Sequence, residues 1–160
     1  MAALQPKMQL RSSTEQALMF LVKDLKAIPE DKLNVRQGDC ARAPLHIAAE
    51  CAVANKRIAA YLRGEELTRP SPEEREALLS ALDTREKVLA LLDEGTQALL
   101  KTLDELDENT LGDMDEKFFE GRPMSRYSIA QLPAVHMMYH DGQLNYIHTL
   151  YGDDKVHWRD

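Results

Sequence analysis

Apolar residues recur every three to four positions along four long stretches of this chain, while the alternation a half-buried strand requires is almost absent. That combination restricts the chain to helices packed on helices. The first stretch runs from Thr14 to Lys26, with Leu18, Leu21, Val22 and Leu25 on one face, Ser12 and Ser13 as candidate caps and Pro29 closing it. The second runs from Pro44 to Arg63; Pro44 suits a first turn and Gly64 the left-handed position after a helix. Ser71 and Glu74 have capping-box spacing for a short helix, SPEEREALL. Asp83 then caps a third long helix reaching Leu106, with Val88, Leu91, Leu92, Leu99, Leu100 and Leu103 inward. Residues Asp107 to Tyr127 hold Gly112, Gly121 and Pro123 and read as a long connection. Ser128 caps the fourth long helix, Ile129 to Leu150, which Gly152 ends. The expected architecture is all-α: a four-helix bundle with a long connection between helices 3 and 4, one domain over residues 1–160 with a flexible stretch at 1–12.

Composition narrows the function classes. A hydrophobic share of 44% with 29% charged residues suits a packed core rather than a disordered chain. A formal charge of −7 speaks against nucleic acid as a partner, because phosphate binding needs clustered Lys and Arg. No run approaches the roughly 20 apolar residues of a membrane span, and the N-terminus has no signal-peptide pattern, so no membrane association and a cytoplasmic location are expected. Cys40 and Cys51 form neither a CxxC pair nor a disulfide framework and read as buried or inert thiols.

The fourth helix carries the chemistry. Taking each residue about 100° further round than the last, His136 and His140 lie about 40° apart, in the middle of the stripe formed by Ile129, Leu132, Ile147 and Leu150. Two imidazoles at i and i+4 can converge on one ion, and burying them unpartnered is costly. HMMYH lacks the glutamate of a zincin motif. By the same wheel His148 and Asp141 face solvent, as does His157 beyond the terminator. A third ligand must come from another helix, and the second offers His46 and Glu50. Its apolar stripe runs through Ile47, Cys51, Ala54 and Ile58; Glu50 lies about 70° from its middle and His46 about 110°. Chemistry favours His46 for zinc, but geometry and depth favour Glu50, which ranks first. The competing role for Glu50 is an ion pair with Arg57 or Lys56.

Two segments resemble a known family. YHDGQLNYIHTLYG is similar to the closing helix of the DinB-like (YfiT-like) superfamily, in which an HxxxH pair precedes a GQ dipeptide, and HIAAECAVANKRIAAYLRGE resembles that family's ligand-bearing second helix. The resemblance extends from about Thr14 to Gly152. It implies a helical bundle with a mononuclear site, usually of three histidines with open positions. His136 and His140 match the pair, while the third family position falls on Glu50, a departure toward a two-histidine, one-carboxylate set. One divalent ion is implied: Zn, Ni, Fe or Mn.

The resemblance further implies a metal-dependent thiol S-transferase, isomerase or hydrolase acting on small electrophiles, with a low-molecular-weight thiol as partner and a homodimeric assembly. An open metal position would lower the pKa of a bound thiol or water, and Tyr139 or Gln143 could orient it. No catalytic residue is otherwise legible. The alternative is a non-catalytic dimeric bundle or a small-ligand-binding module, which the scarcity of other reactive groups supports.

Overall fold

The computed structural model describes residues 5–68, 70–119 and 121–159. Five helices are present among them: α1 (Pro6–Ala27), α2 (Pro44–Leu62), α3 (Pro72–Ala81), α4 (Arg85–Glu105) and α5 (Arg126–Leu150). Four make the bundle. α2 packs chiefly on α4 and α1 on α5, with α5 also against α2 and α1 against α4, so α1 and α2 lie on one diagonal. The short α3 buries no residue and lies outside the bundle, held at its start by the expected reciprocal bonds between Ser71 and Glu74. The core is Leu21, Leu25, Leu45, Leu92, Met137 and Leu144 toward one end and Leu10, Leu99, Leu103 and Ile129 toward the other.

Several boundaries differ from the sequence reading. α1 starts at Pro6, eight residues before Thr14, and Ser12 and Ser13 lie inside it. No side chain caps this start. Tertiary contacts hold it instead: Leu10 is buried, Lys7 donates to the carbonyls of Asp104 and Leu106, and Arg11 pairs with Asp104. Of the stretch expected to be flexible, residues 6–12 are therefore helical, and residues 1–4 lie outside the described residues. Thr84, not Asp83, caps α4, while Asp83 pairs with Lys87. Ser125, not Ser128, caps α5, its hydroxyl accepting from the Ser128 amide at 3.1 Å. Gly64 takes the left-handed φ read for it, and Gly152, read as ending the last helix, takes one too.

The long connection is pinned rather than slack. Two-residue strands β1 (Met114–Asp115) and β2 (Met124–Ser125) pair antiparallel within it. Asp115 accepts from the amides of Lys117 and Phe118 and from the Tyr61 hydroxyl of α2, and Phe118 packs edge-on against Tyr61. Burial first, and then the Asp115 carboxylate, push the Tyr61 phenol up to about 12, so it stays a donor.

α2 and α4 approach closely at Gly95, where a Cβ would stand 2.6 Å from the Ala52 carbonyl oxygen. Just beyond, buried Asn55 of α2 donates to Thr96 of α4 at 3.0 Å and contacts the Met137 sulfur of α5. Gly95→Ala gains about 1 kcal/mol of helix propensity but drives a methyl into backbone. The expected net result is destabilisation of about 1–3 kcal/mol, read as a lowered urea midpoint; an unchanged or raised midpoint would refute the close approach.

Candidate metal centre

α5 presents its polar residues inward over more than three turns. His140 is 1% exposed and His136 half-buried, three residues beyond Pro133, which donates no ladder hydrogen bond. The Nε2 atoms of the two rings stand 3.0 Å apart. Facing them from α2 is Cys51, fully buried, and its sulfur and the donor nitrogens of both rings all lie within 4.8 Å of one another.

The hydrogen bonds fix how these groups are protonated. His140 Nδ1 lies 2.7 Å from Gln143 Oε1, which can only accept, so Nδ1 carries the proton and Nε2 keeps its lone pair. Nε2 then accepts from His136 Nε2–H, which leaves His136 Nδ1 buried with a lone pair and no partner. An unsatisfied buried group of this kind costs about 1–3 kcal/mol. Burial, and then His140 and Arg42, drive the His136 pKa down to about 4; burial and Arg42 also lower that of His140, against the opposing bond to Gln143. Burial pushes the Cys51 thiol up to about 12, Arg42 partly opposing it. Both rings are thus neutral at pH 7 and the thiol is protonated, so Cys51 is inert as a free nucleophile.

This donor set fits a divalent ion. Two neutral imidazoles and a thiol that a cation would deprotonate are borderline-soft ligands suited to zinc, and the Gln143 bond is the outer contact a ligating histidine ordinarily makes.

The two third-ligand candidates lie elsewhere. Glu50 pairs with Arg42 and, at 3.6 Å, with Arg75. Its flank does form an ion pair, but not with Arg57 or Lys56; Lys56 instead pairs with Glu94 of α4. Neither Glu50 nor His46 joins the cluster with His136 and His140; both line a groove of about 880 Å³ between α2, α3 and the connection, which reaches His136. Gln143 lies in the site, while Tyr139 is 61% exposed. The residue the sequence reading missed is Cys51. Its inward phase was legible, but a thiol on an apolar stripe reads as core.

Two further placements on α5 correct the helical wheel. Asp141 and His148, read as solvent-facing, are buried at 6% and 2% exposure. The wheel located one apolar stripe, but α1 covers a second, polar one. There Asp24 of α1, fully buried, meets Asp141, and Asn145 donates to Asp24 and to the Asp141 carbonyl.

A model of the DinB superfamily matches residues 13–144. The chain belongs to that superfamily. Among solved structures, a conserved protein from Enterococcus faecalis has the same fold, with a TM-score of 0.75 at 13% identity, covering 94% of this chain and all of that one. No curated protein sequence matches the chain. The all-α bundle expected from the DinB resemblance is the fold observed, and no helix among the described residues is long and apolar enough to cross a membrane.

Burial, and then the neighbouring Asp24 carboxyl, hold the Asp141 pKa well above the ordinary carboxylate range. The native state therefore binds one more proton than the unfolded chain between about pH 4 and about pH 8, and stability falls as pH rises through that window. The slope is at most about 1.4 kcal/mol per pH unit, less whatever solvent screens. Asp141→Asn is expected to flatten the decline in urea-unfolding stability between about pH 5 and about pH 7; an equal slope in both proteins would show that Asp141 is ionised in the fold.

Proposed function

We propose that this DinB-superfamily protein binds one divalent metal ion through His136, His140 and Cys51 and uses it in thiol-dependent chemistry on a small electrophile. The observation that carries the reading is the convergence of a thiol and two neutral imidazoles beside a groove. A bound divalent ion would supply Lewis acidity, lowering the pKa of a thiol or water presented to it. The protein's own groups do the rest. Gln143 holds His140 in the tautomer with Nε2 free. Arg42, Arg57 and Arg75 line the groove with apolar Val53, Ile58 and Phe118, a surface suited to a small molecule with a carboxylate and an apolar part. Glu50 pairs with Arg42 and Arg75 there, and an anionic ligand would compete for both.

The test uses protein purified without an affinity tag. Elemental analysis is expected to give about one equivalent more metal in the wild type and in Glu50→Ala than in His136→Ala. Co(II)-loaded wild type is expected to show a thiolate-to-cobalt charge-transfer band that Cys51→Ser lacks. Equal metal in wild type and His136→Ala would sink the site, and a band persisting in Cys51→Ser would remove Cys51 from it. With metal bound, a panel of small thiols and an electrophilic dye should give turnover that chelation abolishes; none with any thiol favours a non-catalytic module.

A second reading, compatible with the first, is homodimerisation through α5. Val135, Met138, Tyr139, Tyr146 and Leu150 follow one another at helical spacing and are 46–66% exposed, an apolar stripe that no other element among the described residues covers. Sedimentation should give a dimer that Tyr139→Glu with Tyr146→Glu converts to monomer; a monomeric wild type rejects this reading.

A further inference from the structure

Beyond α5 the chain turns at Gly152, with φ of 81°, and folds back over α1. The Asp153 amide donates to the His148 carbonyl at 3.0 Å, and residues His157–Arg159 form one 3-10 turn in which Trp158 stacks on Phe20 of α1 at 4.5 Å. This return brings together His148, Asp153 and His157, whose donor atoms all lie within 4.8 Å of one another.

Three bonds orient the donors. His148 Nε2 lies 3.0 Å from the Asp24 backbone oxygen, which can only accept, so Nε2 bears a proton and Nδ1 is the nitrogen turned to the return. Nδ1 faces Asp153 Oδ2 at 4.0 Å, beyond hydrogen-bond length. His157 Nε2 stands 3.1 Å from the same oxygen. The other Asp153 oxygen accepts from the Lys155 amide at 3.1 Å, which orients the carboxylate. His148 Nδ1 and Asp153 Oδ2 thus face each other across a gap too long for a hydrogen bond, with a third nitrogen beside them. His148 is 2% exposed, whereas the Asp153 side chain is 33% exposed.

We propose that His148 Nδ1, Asp153 Oδ2 and His157 Nε2 bind a second divalent transition-metal ion, separate from the His136–His140–Cys51 cluster. Two imidazoles and one carboxylate suit Zn(II), Co(II) or Fe(II). The Nε2–H bond from His148 to a backbone carbonyl is the outer contact that fixes a ligating histidine's ring and tautomer. The ion would clasp the C-terminal segment to α5 and, through Trp158 and Phe20, to α1. Its role is structural, because binding that needs the folded return stabilises it.

Trp158, the chain's one tryptophan, adjoins His157 and reports on the site. In a His136→Ala background, which cripples the first cluster, Co(II) titration is expected to quench Trp158 fluorescence saturably at one equivalent, and Zn(II) in excess to raise Tm by about 5 °C or more. Asp153→Asn keeps an oxygen for the Lys155 amide, and His157→Gln keeps a donor for Asp153, so each preserves the local bonds while removing a ligand. Each should weaken the quenching at least about tenfold. Absence of saturable quenching, or equal quenching in His157→Gln and its parent, would overturn the proposal and leave a hydrogen-bonded pair. Loss of the cobalt–thiolate band with quenching intact bears only on the first cluster, so the two readings fail separately.

Discussion

Desolvation of the polar groups along α5 is the constraint that the rest of the structure answers. From His136 to His148 this helix carries His136, His140, Asp141, Asn145 and His148 into the bundle, three of them nearly fully buried. Each must find a partner away from water. α2 supplies Cys51 opposite the histidine pair, α1 supplies the Asp24 carboxyl and carbonyl, and the C-terminal return supplies Asp153 and His157. The helix is a polar spine in an apolar bundle, and its partners arrive from three separate parts of the chain.

That arrangement makes helix register decide which side chains meet. Gly95 lets α2 seat against α4 at Ala52, the neighbour of Cys51, and the contacts of Asn55 with Thr96 and Met137 tie α2 to the turn of α5 that carries His136. A small shift of α2 would carry Cys51 away from the imidazoles. The Tyr61–Asp115 bond does similar work at the groove, where it holds Phe118 in the wall that leads to His136.

The chain lacks a histidine at the position where its family resemblance implies a third one. Glu50 stands where that pattern places a histidine, yet its carboxylate is drawn to Arg42 and Arg75 in the groove. The next residue, Cys51, points into the bundle. On a helix adjacent residues differ by about 100° in direction, so one position decides between a groove-lining carboxylate and a core thiol. Phase and depth favoured Glu50 over His46, yet in the fold both line the groove rather than joining the His136–His140–Cys51 cluster.

Periodicity, caps and the two left-handed glycines were enough to read the helical class, the long connection, the α3 capping box and the inward pair His136 and His140, because these depend on neighbours within a few residues. What depends on distant segments was not legible. The start of α1 rests on Lys7 and Arg11 meeting the end of α4. The burial of Asp141 and His148 rests on α1 covering a second face of α5, which a wheel with one apolar stripe cannot show. The placement of Cys51 against the histidine pair rests on how α2 is rotated against α5. Local sequence determined which groups α5 turns inward over its first stripe; only the packing of α1, α2 and the C-terminal return decided what those groups meet, since desolvation and donor geometry are properties of the assembled interior.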